Sequence, residues 1–334
     1  MKTIPLALLG RRRLLKAAIG LPLAAHLPAS FAQNASYPTR AAKLIIPFPA
    51  GGATDYAART IGNALAETWH QAVVPENRVG AGSTIGTEMG AKSAPDGYTL
   101  VMGIPAGITI APHIYPKLGY DPLLDLLPVA GFATSPLVVV VPSDSPFKTF
   151  AELVTYAKAN PGKLSYASNG SGSLPHLTTE WFLSLAKISM THVPYKGSAQ
   201  ALPDLIAGRT QVMIDIIVSA LPLIEGGKLR ALAVTGAQPT SRLPGVLTVA
   251  SLGYPGFDSS QWYGLFVPKG TPEAVVRKIE SDIQAVTTDT RIRGQMWQRG
   301  AEVVFLPAKA FDAVVRADSK RWAVIAKATG ARAE

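Results

Sequence analysis

The sequence predicts an α/β fold, and three observations carry the expectation. From Lys43 onward short β-branched runs alternate with amphipathic helical stretches. The 334 residues are 48% hydrophobic, the composition of a globular chain with a sizeable core. There is no cysteine, so disulfides, thiolate metal sites and cysteine nucleophiles are excluded together and the core alone must stabilise the chain. Roughly 300 residues beyond the N-terminal segment suffice for that, and favour two lobes over one.

The elements follow in order. Residues 43–47 read as a strand, and 55–69 as a helix with Ala58, Ile61, Leu65 and Trp69 on one face. Residues 98–103 form the next strand, and 137–141 a near-continuous run of Val. Thr149 and Glu152 have capping-box spacing ahead of a stripe of Phe150, Leu153, Val154 and Ala157, which Pro161 and Gly162 terminate. Strand–helix units continue through 164–168, 176–186, 211–215 and 229–235, and helices at 272–286 and 309–327 close the chain. The strands at 137–141 and 262–267 lack a loop-rich neighbour and read as crossovers. If both bridge the same lobes, the second lobe is an insertion in the first.

The N-terminus has a different character. Arg11, Arg12, Arg13, Leu14, Leu15 and Lys16 precede an uncharged stretch at 17–29, and Ser30-Phe31-Ala32 follows as an A-x-A-like cleavage site. Basic, apolar and small-residue regions in that order predict an export signal over 1–32, removed after Ala32, with a twin-arginine-like run. Gly20, Pro22 and Pro28 oppose a stable helix there, and the apolar run falls short of the roughly 20 residues of a membrane span. Lys2, Arg11, Arg12, Arg13 and Lys16 leave with the signal, taking the net charge from +10 to +5. No later stretch gathers Lys or Arg with interleaved aromatics, so no nucleic-acid partner is expected. The five histidines, at 26, 70, 113, 176 and 192, have no metal-binding spacing, so no metal is expected.

Four loops carry candidate chemistry. In Pro47-Phe48-Pro49-Ala50-Gly51-Gly52-Ala53-Thr54-Asp55 a glycine turn enters a helix. It reads either as an anion site made of backbone N–H groups or as a plain N-cap by Thr54 or Asp55. Gly52 is expected to need glycine's φ freedom there. Gly80-Ala81-Gly82-Ser83-Thr84-Ile85-Gly86 places its third glycine one residue too late for a dinucleotide fingerprint, and no P-loop triplet exists; no cofactor is expected. Ser168-Asn169-Gly170-Ser171-Gly172-Ser173-Leu174-Pro175-His176 brings hydroxyls, an amide and glycine N–H groups into one loop suited to a carboxylate. The rival reading, a hydrolase using Ser171 and His176, lacks the G-x-S-x-G elbow. In His192-Val193-Pro194-Tyr195-Lys196-Gly197-Ser198 the one cation is Lys196, and Asp215 ends a strand nearby in sequence order. A solvated Lys and a structural Asp are the alternatives.

These loops and their order bring the chain close to a family. PFPAGGATD (47–55), ENRVGAGSTIG (76–86), APDGYTL (94–100), YDPLLDLLPVA (120–130), LSYASNGSGSLPHL (164–177), HVPYKGSAQALPDLIAGRTQVMID (192–215), GKLRALAVT (227–235) and WYGLFVPKGTP (262–272) resemble the Bug solute receptors of tripartite tricarboxylate transport over the whole mature length. The resemblance implies a type II periplasmic-binding-protein fold, two α/β lobes joined by two crossing strands. Lobe 1 is then residues 33–132 and 261–334, lobe 2 residues 133–260. It implies a periplasmic, monomeric receptor, not an enzyme, that hands a small carboxylate to the transporter's membrane subunits; a membrane sensor kinase is the alternative partner. The ligand is expected between Phe48, Ala50, Gly51, Gly52, Ala53, Thr54, Asp55, Ser83 and Thr84 on one side and Ser168, Asn169, Gly170, Ser171, Ser173, His176, Tyr195, Lys196, Gly197 and Asp215 on the other. Ser83 departs from the family's usual glycine and is expected to contact or crowd the ligand. Phe48, Tyr195 and Trp262 are expected to be able to stack on an aromatic acid.

Overall fold

The computed structural model describes residues 37–333; the expected signal and its cleavage site lie outside them. Strand β1 (Ala42–Ile46) is buried on both faces, which its unbroken Leu-Ile-Ile run requires. It pairs in parallel with β2 (Val73–Asn77) and β3 (Thr99–Gly103). Helix α1 (Ala53–Trp69) connects β1 to β2, and α2 (Thr84–Ala91) connects β2 to β3. After β3 the chain makes a π-helical turn over Ala106–Ile110 and a short α3 (Ala111–Ile114).

Strand β4 (Leu126–Pro142) is far longer than the expected 137–141 and belongs to two sheets. Its first half pairs antiparallel with β9 (Ser260–Pro268) and β10 (Glu302–Pro307). Its second half, the buried Val run, pairs with β7 (Val212–Ile216) and β8 (Leu229–Val234). The change of partner falls between Pro136, opposite Ser260, and Leu137, opposite Ile216. β9 returns along the first half of β4 and pairs with β3 as well; the 262–267 segment read as a crossover thus lies beside residues 127–134, whereas the 137–141 segment lies wholly in the second sheet between β7 and β8. The order is β2-β1-β3-β9-β4-β7, then β5 (Ser165–Ser168) and β6 (Thr191–Pro194).

The second half carries α4 (Phe150–Ala159), α5 (Leu174–Ala186), α6 (Ser198–Ile206) and α7 (Ile217–Glu225). The capping box expected at Thr149 and Glu152 is present. Helices α8 (Glu273–Thr288), α9 (Thr290–Gln298) and α10 (Ala308–Thr329) return to the first half. α10 also reaches α5, where Trp322 meets Trp181 edge to face. Among the described residues no helix is long and apolar enough to cross a membrane.

Ser83 introduces α2 with φ +92°, in the left-handed region, and is buried. Its Oγ has no hydrogen-bond partner among the described residues and is turned to Gly107, where an added Cβ would lie 2.7 Å from it. The left-handed conformation costs an L residue roughly 1–2 kcal/mol, and the orphaned hydroxyl adds to this. Glycine's greater unfolded-state freedom takes back about 0.4–1 kcal/mol. Ser83→Gly should therefore raise the unfolding free energy by about 1 kcal/mol in urea titrations; a loss of stability would show that the hydroxyl is held by a contact this packing does not contain.

Candidate functional site

The strand C-termini of both halves open onto one narrow cavity, the position at which α/β sheets bind ligands. Phe48, Pro49, Ala50, Gly52, Ala53 and Thr54 line it from the β1–α1 loop, and Ile104 and Ala106 from the end of β3. Asn169, Leu174, Pro175, Gly197, Ser198, Ala199 and Ile216 face them from the second half, and Gln261 enters from β9. None of these lining residues is charged. Broader open grooves exist, one beside Arg242 and Trp297 and one on the outer side of α1 at Gly51, Asp55 and Arg59, but both carry charged side chains in their lining.

The cap of α1 decides between the two readings of its loop. Gly52 is the N-cap and no side chain caps it, so Thr54 and Asp55 lie inside the helix. The first helical bond is Tyr56 N–H to the Gly52 carbonyl, and the N–H groups before it have no acceptor within the helix. They sit at the positive end of the dipole, on the cavity wall. Gly52 itself has φ −89°, a conformation any residue adopts. The left-handed glycine is Gly51, φ +82°.

Asp55 holds this loop from behind. Its carboxylate accepts from Gly51 N (3.0 Å), Arg59 Nε (2.8 Å) and Asn77 Nδ2 (2.9 Å). Asn77 Nδ2 donates in turn to the Phe48 carbonyl (2.8 Å).

Across the cavity α6 starts the same way. Gly197 is its N-cap at φ +119°, again without a side-chain cap. Behind it lies Asp215, fully buried, with its Oδ1 accepting from Ser198 Oγ (2.9 Å) and Asn169 Nδ2 (3.1 Å). Burial pushes its carboxyl up to about 6. Helix α5 differs: Ser173 caps it by accepting from His176 N, and Pro175 has no N–H. Its end offers the cavity only the apolar Leu174 and Pro175. Two open helix ends, one from each half, thus face one uncharged space.

Two stacked imidazoles anchor the 168–176 loop. His176 Nδ1 accepts from Gly172 N (3.2 Å), so it is unprotonated. His192 Nε2 lies 2.6 Å from Ser168 Oγ, which accepts from Gly170 N. The rings are 4.2 Å apart, and His192 stacks on Tyr166 on its other face. Burial pushes both imidazoles down to about 4.

Of the expected site residues, Phe48, Ala50, Gly52, Ala53, Thr54, Asn169 and Gly197 line the cavity. The others do not. Gly51 and Asp55 border an outer groove. Ser83 and Thr84 are buried under the 80–84 turn, Thr84 Oγ1 donating to the Ala81 carbonyl. Ser168, Gly170, Ser173, His176 and Asp215 form the support behind the loops. Ser171 is exposed and offers its carbonyl to Tyr115 OH at 3.4 Å. Tyr195 is turned away because its hydroxyl donates to Asp204 (2.9 Å), and Lys196 is exposed. Trp262 packs on Phe311 and donates to Asp318, so of the three aromatics only Phe48 reaches the cavity. Sequence reasoning missed Pro49, Ser198 and Ala199, which sit in or beside flagged loops. It also missed Leu174 and Pro175, within the flagged 168–176 loop, and Ile104, Ala106 and Ile216 at strand ends. Nothing local marks Gln261.

Known proteins share this architecture. The family model for the tripartite tricarboxylate transporter family receptor matches residues 57–331. A UPF0065 protein of Pseudomonas sp. (strain P51) is 37% identical over 319 residues, 95% of this chain and 94% of its own. BugT of Bordetella pertussis is 34% identical, covering 95% of this chain and 98% of its own. The solved structure of R. palustris Rpa4515 with adipate superposes with a TM-score of 0.85 at 36% identity, covering 88% of this chain and 98% of that one. MatC from Rhodopseudomonas palustris with bound malate gives 0.82 at 31% identity, covering 86% and 99%.

The buried titrating groups set a pH dependence. Between pH 6.5 and about 4 the unfolded chain protonates His176 and His192 while the folded chain does not, so acidification costs stability there. Asp215 acts oppositely, since the folded chain takes its proton from about 6 downward and the unfolded chain only near 3.8. Two groups outweigh one, and the thermal midpoint should fall across this window. His192→Gln should flatten the fall and Asp215→Asn should steepen it. A midpoint independent of pH in both variants would show that these side chains are solvated.

Proposed function

The chain belongs to the tripartite tricarboxylate transporter receptor family, and from that premise we propose that it is a periplasmic solute-binding receptor whose ligand is a small carboxylate held between the open ends of α1 and α6. The observation that carries the reading is that pair of uncapped helix N-termini facing one cavity with no charged side chain in its lining. A carboxylate is the group such a place suits: backbone N–H groups bond its oxygens, and the helix dipoles favour its charge. Each hydrogen bond to a charged group contributes about 1.5–3 kcal/mol net, so several together hold the ligand while leaving it free to pass to a membrane subunit. Adipate and malate in the related structures are of this class.

In this reading Phe48, Ala50, Gly52, Ala53, Thr54, Asn169 and Gly197 touch the ligand. Asp55, Ser168, Ser173, His176 and Asp215 position the loops that do. The first lobe comprises 33–132 and 261–334, the second 133–260, and residues 1–32 are removed on export. The mass of the exported protein should place its first residue at Gln33; retention of the Arg11–Lys16 segment would contradict release into the periplasm.

Ligand that binds the folded state alone raises the melting temperature. Screening the mature protein against a panel of carboxylates that includes adipate and malate should yield at least one such rise, and a panel without any would overturn the carboxylate assignment. Gly197 lies where the halves meet: a Cβ there would be 3.3 Å from Pro49 Cγ, on a φ that L residues avoid. Gly197→Ala should weaken binding by about tenfold or more, whereas Lys196→Ala should change it by less than about threefold, because an exposed charge contributes about 0–1 kcal/mol. The reverse ranking would mean that a cation, not an amide cradle, holds the anion.

A further inference from the structure

Gln261 sits in the floor of the cavity, on the strand that crosses between the halves. It stands opposite Ser135 in the β4–β9 ladder, and its backbone carbonyl accepts from Thr134 Oγ1 at 3.1 Å. The residue lines the cavity yet is only 1% exposed. Its Nε2 has no hydrogen-bond partner among the described residues. Buried amides are rarely left so. The floor around it is formed by Ile104, Ala106, Leu174 and Ile216, whose side chains offer no acceptor.

We propose that Gln261 is a specificity-determining residue: its Nε2 donates to a second acceptor oxygen of the ligand, so the receptor selects dicarboxylates over monocarboxylates of the same length. The inference rests on the carboxylate reading above and deepens it. The open helix ends take one carboxylate. Gln261, at the floor between them, takes an oxygen from the other end of the molecule. A ligand with an alkyl tail leaves the amide orphaned and desolvated, whereas one with a distal carboxylate satisfies it. Sites built around a buried donor discriminate in this way far more sharply than apolar pockets do. The orphan donor also carries a cost in the unliganded protein, the expected sign of a group retained for binding and not for folding.

The test compares succinate with butyrate and adipate with hexanoate by calorimetry, in the mature wild-type protein and in Gln261→Met, which keeps the side-chain length and removes the donor. The wild type should bind at least one dicarboxylate about tenfold or more tighter than its matched monocarboxylate. Gln261→Met should shrink that ratio to within about threefold, chiefly by weakening the dicarboxylate. Without ligand the variant should melt no lower than the wild type, because it loses an unsatisfied amide; a markedly lower midpoint would show a structural role and overturn the proposal. Equal affinity of the wild type for both members of each pair, or an undiminished ratio in the variant, would also overturn it while leaving the carboxylate reading intact. Failure of the wild type to bind any of the four would instead remove the carboxylate reading and this inference with it.

Discussion

The cavity exists because one strand is shared by two sheets. β4 spends its first half in the ladder with β9 and β10 and its second half with β7 and β8. Each sheet carries its own strand-to-helix loops, and the shared strand fixes where the two sets of loops meet. Antiparallel pairing of β9 along β4 doubles the connection. The chain thus crosses twice, side by side, and the residues there are both floor and joint. Gln261 lies in that floor, and Pro136 and Ser260 pair across the ladder where the partners change. The Val-rich half of β4 is buried between neighbours on both sides, so the frame that locates the site is also among its best-buried parts.

On this frame the two halves use the same device to aim backbone N–H groups at a point. Each leaves a helix N-terminus without a side-chain cap, and each places a carboxylate behind the loop instead of in front of it. Asp55 ties back Gly51 and, through Asn77, the carbonyl of Phe48. Asp215 ties back Asn169 and Ser198. Their settings differ. Asp55 has Arg59 as a counter-ion at 2.8 Å. Among the described residues Asp215 has no cationic partner and its Oδ2 has no hydrogen-bond partner, so burial raises its pKa unopposed by a neighbouring charge. A buried carboxylate with an unfilled oxygen is costly, and its position directly behind the second cradle ties that cost to the site.

Much of this was legible in the sequence, and the boundary of legibility has a physical form. The β1–α1, β5–α5 and β6–α6 loops announce themselves through glycine, hydroxyl and amide residues between a β-branched run and a helical stripe. Those local signals located both cradles. They did not distinguish residues that face the cavity from residues that brace it, because Ser168, His176 and Asp215 have the same polar chemistry as Asn169 and Ser198. Only the partner each side chain finds separates them: His192 for Ser168, Gly172 for His176, Asp204 for Tyr195. The sequence pattern sets the start of α1 two residues late, at Asp55 instead of Ala53, for a related reason. Thr54 and Asp55 are good N-caps, but the Asp55 side chain is already committed to Gly51, Arg59 and Asn77, and Gly52 caps by backbone alone. Gln261 carries no local signal; it becomes visible only when register sets it over the cavity.

The contacts across the cavity mouth bear on how the halves respond to a ligand. Pro49 faces Gly197, where an added Cβ would crowd its ring, and Tyr115 reaches the Ser171 carbonyl at 3.4 Å, near the upper limit for a hydrogen bond. Both are weak: one is the approach of a proline ring to a glycine, the other a long bond at an exposed edge. A ligand bridging α1 and α6 adds bonds that exist only when both helix ends are close together, and such differential contact is what shifts a two-state equilibrium. The light seal and the uncharged lining therefore serve one end. In the proposed reading a closed arrangement would draw part of its stability from the bound molecule and give way when a partner drew that molecule out.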